Sequence, residues 1–375
     1  MEKKRSSFSV AFPVASVWFG ALVGPSMVSG AFAMVYFSPY GMWGLILPFV
    51  CMGVASIIVT FGLLGAKTWH IDNYYDYGKK LYGKYSRFLN PLLEVYTVLA
   101  MIIGGSSVIV MGGTFFHDLF GLAPIIGQIL MAIISSVLVL WGAELVRKSS
   151  ALMTIILLAG FACLIVFSCI YGQESLVDKV TNWYVPEGKT FWMGVGPAIA
   201  LGLSNAVNAL TLSSVAQNIK TNKDVIVTGL CAFVMNSLMF IGSALFLLPY
   251  IPEVLTADVP NLYVIRNYLV GVAPWLPTVY NIVMLLGLVS SGAPQLNAVT
   301  YRVMNLYPKK GLFNKPINCN ICTAVIYMGT CIAISTFGLR AIISNGYSML
   351  GYLAMPLIVI PLCILLPYRI IKKKI

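Results

Sequence analysis

Small polar residues interrupt the long apolar runs of this chain at three places. The first is the stretch GALVGPSMVSG from Gly20 to Gly30, which holds Gly24, Ser26 and Ser29. The second is Ser204, Asn205 and Asn208, preceded by Gly194, Gly196, Pro197 and Gly202. The third is Ser290, Ser291, Gly292 and Pro294, and Ser107 adds a hydroxyl in another apolar run. Glycine and proline break helices. A broken helix leaves N–H groups open at the start of one half and carbonyls open at the end of the other. The open N–H groups suit an anionic group such as a carboxylate. The open carbonyls, with amide side chains, suit an amine or a cation. A site of this kind recognises a solute without any charged side chain.

Catalysis lacks its residues. The two histidines, His70 and His117, fall at the ends of apolar runs, away from the serines they would have to activate. Glu94, Glu144 and Asp118 are also near run ends, so no carboxylate relay crosses the middle. Of eight cysteines, Cys319 and Cys322 form a CxxC with no second pair and no histidine cluster, which reads as two reduced thiols and not a zinc site. No GxxxxGK[ST] phosphate loop occurs. The expectation is a protein that is not an enzyme and has no cofactor beyond a possible coupling ion.

The elements that must position these residues are membrane spans. The chain is 59% hydrophobic and 10% charged over 375 residues, with a mean hydropathy of +0.88. A soluble domain averages about 25% charged residues. The apolar runs are long and continuous, which excludes a barrel and leaves a helix bundle. Ten spans are expected, at 9–37, 41–66, 89–116, 122–146, 150–171, 191–217, 224–248, 275–305, 319–338 and 347–368. With the N-terminus inside, all but four of the 24 Lys and Arg are cytoplasmic, the exceptions being Lys179, Lys189, Arg266 and Arg340. The alternation supports both termini inside, and it places the net charge of +12 in cytoplasmic loops and not on a nucleic-acid surface. A short helix is expected within the Tyr- and Lys-rich loop 67–88, and an amphipathic patch around Leu262–Val272 in the outer loop 249–274.

The breaks in the first and sixth spans are about half a chain apart. This is the pattern of a transporter built from inverted repeats, whose solute sits at interrupted helices. The expected organisation is a single all-α transmembrane domain over 1–375, with one repeat at 9–171 and an inverted one at 191–368. Glycines such as Gly20, Gly24, Gly104 and Gly105 also fit close helix packing, and Asn205 and Asn208 fit interhelical hydrogen bonding, so those readings stand beside the first.

The stretches GALVGPSMVSGAF, PYGMWGL and FGLRAII…GYSMLGYL resemble the YkvI-like membrane proteins, placed in the amino acid–polyamine–organocation superfamily with the LeuT-type fold. The resemblance covers most of the chain and implies ten helices in a 5+5 inverted repeat, with helices 1 and 6 broken. It departs at Ser29-Gly30-Ala31-Phe32, where the family's pattern carries an acidic residue. Sodium-coupled members of the fold are similar in having adjacent hydroxyls in span 8. This implies a sodium cage from the hydroxyls of Ser290 and Ser291 and the carbonyls of Gly20, Val23 and Gly287. The alternative is that both serines bond back to their own helix. Residues 150–171 contain no Lys, which stands at the sodium position in proton-coupled relatives and so favours sodium.

Substrate contacts are expected from Gly24, Ser26, Ser29, Ser107, Ser204, Asn205 and Asn208. The function expected is a sodium-coupled secondary transporter of a neutral amino acid or similar zwitterion, working by alternating access in the plasma membrane. Its partners would be membrane lipids and the small solute, with no nucleic acid and no obligate protein. The alternative is a solute-sensing receptor of the same fold, like the spore-germination permease-type receptors. A channel would show charge rings or filter loops, and none is visible.

Overall fold

The computed structural model describes residues 6–22, 24, 28–71, 74–141, 143–306 and 316–371, and these are mostly helical with no strand among them. Seven helices among the described residues are long and apolar enough to cross a membrane: Leu47–Trp69, Asp76–Phe120, Phe191–Thr211, Asn222–Tyr250, Leu276–Thr300, Asn318–Ser335 and Leu339–Ile371. An eighth, Ile155–Tyr171, turns through 79° into Gln173–Thr181. Two shorter apolar helices, Ser7–Gly20 and Pro124–Val139, occupy the places expected for the first and fourth spans.

In chain order the helices are α1 (Ser7–Leu22), α2 (Ala31–Tyr36), α3 (Leu47–Trp69), α4 (Tyr74–Tyr82), α5 (Ser86–Phe120), α6 (Pro124–Trp141) and α7 (Ala143–Tyr171). There follow α8 (Gln173–Thr181), α9 (Phe191–Ser204), α10 (Asn222–Leu247), the short α11 (Pro260–Val264), α12 (Leu276–Leu306), α13 (Pro316–Ser335) and α14 (Leu339–Ile371). Helix α1 packs on α10, and α3 on both α9 and α10. On the other side α12 packs on α5, α7 and α13, while α5 also meets α6.

The surface is apolar where these helices face outward. Ile57, Leu230, Val325 and Ile326 are 57%, 58%, 66% and 64% exposed. In water such surface costs about 25 cal/mol per Å²; in lipid it does not. Inside, Trp18, Tyr36, Tyr96, Tyr280 and Phe240 are buried. The rings inside bring hydroxyls that reach backbone carbonyls: Tyr36 donates to Ile343 O at 2.8 Å, and Tyr77 of α4 to Gly62 O at 2.7 Å. The short helix expected in loop 67–88 is α4, fixed on its other side by Tyr82 donating to Leu357 O at 2.7 Å.

Two spans differ from expectation. The last begins at Leu339 and not at 347, because Gly338, with φ of 81°, turns the chain straight into a helix. It then relaxes into π turns at Ile342–Tyr347, Met355–Val359 and Pro361–Leu365. Prolines 356 and 361 lack the amide a regular ladder needs, and a π turn absorbs that loss. The sixth span also differs, as described below.

Candidate functional site

The first span breaks where its glycines are. The Gly24 N–H donates to Leu22 O at 2.8 Å, and the Gly24 carbonyl accepts from the Val28 N–H at 3.1 Å. Gly30, with φ of 80°, starts α2 in the left-handed region. A Cβ there would stand 2.2 Å from Asn261 Oδ1 of α11, so only glycine fits. Ser29 is fully buried. Its carbonyl accepts the Asn261 backbone N–H at 3.0 Å, and its hydroxyl oxygen accepts the Ala31 N–H at 3.2 Å. Ser29 therefore faces α11. Ser26 and Val23 lie outside the described residues.

The sixth span does not unwind into two open half-helices. After α9 the backbone tightens into 3-10 turns at Asn205–Val207 and Leu212–Asn218, with one α turn at Asn208–Thr211 between them. The backbone stays right-handed, at φ −78° and ψ −2° for Asn205. Two of the polar side chains bond back to one carbonyl in the preceding turn, and a third bonds to its neighbour's amide. Ser204 Oγ donates to Leu201 O at 2.7 Å and Asn205 Nδ2 to the same oxygen at 3.0 Å. Asn208 Nδ2 donates to Asn205 Oδ1 at 3.3 Å.

Helix α12 runs unbroken through Pro294. That proline has no N–H for the Ser290 carbonyl one turn earlier. The Ser290 hydroxyl donates to the Gly287 carbonyl at 3.1 Å. Ser291 lies beside the first break: a Cβ on Gly24 would stand 3.1 Å from its Oγ. Gly287 faces Val28 of the same break, which a Cβ there would meet at 3.4 Å. Gly20 lies in the last turn of α1, partly buried.

These interruptions converge on one cavity of about 140 Å³. Of the residues singled out from sequence, Gly24, Ser107, Ser204, Asn205, Asn208 and Ser291 line it; Gly20, Ser29, Gly287 and Ser290 do not. The Ser107 hydroxyl, on α5, donates to Ile103 O at 3.2 Å. No Lys, Arg, His, Asp or Glu is among the described lining residues. Phe32, which lines the cavity, meets Tyr347 edge to face, with centroids 4.9 Å apart, and Phe240 at 6.0 Å.

Sequence reasoning passed over Gln295, which also lines the cavity. The signal was present, since Gln295 stands four residues after Ser291 and shares its helix face. Its side chain lies against Gly104 of α5, where a Cβ would stand 2.8 Å from Nε2 and 3.1 Å from Oε1. The Oε1 is buried without a hydrogen-bond partner.

A larger, open cavity of about 580 Å³ sits at the corner between α7 and α8. Its buried cation is already engaged. Lys179 Nζ donates to Pro249 O at 2.7 Å, Ile251 O at 2.8 Å and Ser175 Oγ at 2.9 Å. Burial pushes this ammonium below the ordinary lysine value, against the raising effect of Glu253 and Asp178.

No family model matches the chain, and no curated protein matches it in sequence. Solved structures do match. The inward-facing structure of Mhp1 aligns with 94% of this chain and 75% of its own, at a TM-score of 0.67 and 16% identity. A substrate-bound, outward-open Na+-coupled sialic acid symporter aligns with 94% and 77%, at 0.60 and 12% identity. MhsT in complex with L-phenylalanine aligns with 96% of each chain, at 0.60 and 14% identity. At these identities the likeness is one of fold: the chain is a multi-pass helical membrane protein with the LeuT-type fold of these transporters.

Proposed function

We propose that the chain is a secondary transporter of a small organic solute, in the first place a neutral amino acid or similar zwitterion, driven by sodium and working by alternating access. One observation carries the reading: polar interruptions from α1, α5, the 204–208 segment and α12 meet at a single cavity whose described lining has no charged side chain. About 140 Å³ is the room of four or five waters at ~30 Å³ each, which suits a small solute. A zwitterion with no net charge needs no counter-ion from the protein, and peptide dipoles can serve both of its ends. The fold it shares with a Na+-coupled symporter and with MhsT, solved with L-phenylalanine, supports the same reading.

The ten-span, 5+5 arrangement with both termini cytoplasmic belongs to this proposal. The charge alternation supports it, and the YkvI-like stretches agree with it. Sodium coupling has support from the oxygen chemistry of α12. The Ser290 hydroxyl is here bonded back to Gly287 O at 3.1 Å, as the alternative expects, and an ion would take the place of that proton between the two oxygens. The Ser290 carbonyl, freed by Pro294, is a further oxygen on the same turn. Sodium would be held there by Ser290, Ser291 and the carbonyls of Gly20, Val23 and Gly287. It would supply the gradient that drives uptake.

Uptake into proteoliposomes with and without a sodium gradient tests the proposal. Saturable, sodium-driven uptake of a neutral amino acid is expected. Binding without flux would favour the solute-sensing receptor instead.

A further inference from the structure

We propose that a groove on the outer face of the bundle, between α3 and α10, holds one anionic glycerophospholipid of the surrounding membrane. An acyl chain lies in the groove and the phosphate sits at Lys67 and Lys223.

The two helices run antiparallel in a register that close approaches fix. At one end Lys67 of α3 donates to the Asn222 side chain of α10. Midway, a Cβ on Gly229 would collide with Thr60 Oγ1. Toward the other end Phe49 and Phe233 meet with centroids 6.1 Å apart. Beside Gly53 and Gly229 the helices leave an open cavity of about 350 Å³. Its walls are Ile57 and Phe61 of α3 and Ile226, Leu230 and Phe233 of α10, and Ile57, Ile226 and Leu230 are exposed. The polar lining residues are Ser56 and Thr60. Ser56 is buried, and Thr60 gives its proton to the Ser56 carbonyl at 2.7 Å. The open surface thus asks for hydrocarbon. Its volume is the room of roughly a dozen groups of water size at ~30 Å³ each, which is much of one acyl chain.

Charge at one end sets this groove apart from plain lipid-facing surface. Lys223 stands three residues before Ile226 and seven before Leu230, and Lys67 stands seven after Thr60, so both continue the faces that line the groove. The contact between Lys67 and Asn222 brings the two lysines to the same end. Its acceptor is a neutral amide, so that contact leaves the ammonium charge uncancelled. The carboxylate of this turn, Asp224, is buried and accepts the backbone N–H groups of Lys220 and Thr221. An apolar trough that ends in two cations matches an acyl chain that ends in a phosphate. A zwitterionic lipid brings its own cation to the lysines and gains less. A second copy of this chain, packed on the same face about a twofold axis along the membrane normal, would set its own lysines against these.

Native mass spectrometry of the purified full-length protein tests the proposal. The protein is titrated with dioleoylphosphatidylglycerol and, separately, with dioleoylphosphatidylcholine, and the spectra give the number bound and the apparent Kd. One saturable phosphatidylglycerol is expected, at least tenfold tighter than phosphatidylcholine. Lys67→Gln with Lys223→Gln should bring the two lipids within about twofold of each other. Lys84→Gln with Arg87→Gln removes two positive charges elsewhere and should leave the preference intact. Gly53→Leu fills the groove, where a Cβ meets Phe233 at an ordinary 3.8 Å, and should weaken both lipids. Should that variant fail to fold, Ile57→Trp at an exposed position fills the groove in its place. Excess inorganic phosphate, which has no chain to bury, should not displace the phosphatidylglycerol. Equal affinities in the wild type, a preference that survives loss of Lys67 and Lys223, or one lost equally with Lys84 and Arg87, overturns the proposal. So does a groove-filling variant that binds both lipids as the wild type does, or displacement by phosphate alone. Dimers that Gly53→Leu converts to monomers would give the groove to a second copy and overturn it as well.

Discussion

Asn261 is hydrogen-bonded into the break of the first span: its side-chain N–H donates to the Val28 carbonyl at 2.7 Å and its backbone N–H to the Ser29 carbonyl at 3.0 Å. Asn261 is fully buried. It comes from a loop remote in sequence and takes two carbonyls that the break would otherwise leave open.

Removing that side chain leaves the Val28 carbonyl unpaired in a buried place. Asn261→Ala is expected to cost about 1–3 kcal/mol. Gly30→Ala should cost at least as much, because it combines a left-handed φ with a collision against Asn261. Thermal unfolding of the detergent-solubilised variants measures both. A midpoint equal to wild type for either would contradict the packing described.

The two α12 serines should separate in their effects. Ser290→Ala and Ser291→Ala are each expected to weaken the apparent sodium affinity of uptake about tenfold or more. Ser291→Ala should also alter solute affinity, since Ser291 lines the cavity and Ser290 does not. Sodium titrations of uptake check this. Equal sodium dependence in wild type and both variants would sink the cage assignment.

Lys179 gives a pH dependence with a definite sign. Its folded value is depressed by burial below the ordinary 10.5. Between that depressed value and 10.5 the unfolded chain binds more protons than the folded one, so this group makes stability rise with pH there. Lys179→Met should abolish that rise, and it leaves the Pro249 and Ile251 carbonyls without their donor at every pH. Unfolding midpoints of both proteins across the alkaline range measure the difference. A gap between them that narrows as pH rises would contradict the sign.

The ion pair of Arg302 with Glu94 joins α12 to α5 at 3.6 Å, with side chains 14% and 32% exposed. Glu94→Gln keeps the shape and removes the charge. Its expected effect on stability is small, about 1 kcal/mol or less, because a partly solvated pair gains little over water. A loss several times larger, read by the same unfolding assay, would mean that the pair is far better shielded than its exposure indicates.

The seven long apolar helices were legible because a bilayer leaves a chain few choices. The first span's break was equally plain, since Gly20, Gly24, Pro25 and Gly30 cannot share one straight helix. The sixth span was harder. Glycine and proline suggested an open gap, yet Ser204 and Asn205 satisfy Leu201 O themselves and let the backbone tighten in place of unwinding. Of the site, sequence brought out the hydroxyls and amides that stand beside backbone breakers. It passed over Gln295, which stands just after Pro294 and lies against Gly104 on another helix. It could not place Ser29 against Asn261 either, because that contact joins residues far apart in the chain. Arg340 was expected between spans, and Gly338 places it in the first turn of α14.

The edge-to-face contact of Phe32 with Tyr347 has a kinetic side. The rings belong to α2 and α14, so they are anchored on different parts of the bundle. A solute leaving past these rings would have to wait for the two elements to part. Its residence time then follows the frequency of that opening more than the strength of its own hydrogen bonds. Trimming Tyr347 to a smaller side chain would accordingly shorten the dwell of a solute, even one whose equilibrium occupancy changed little.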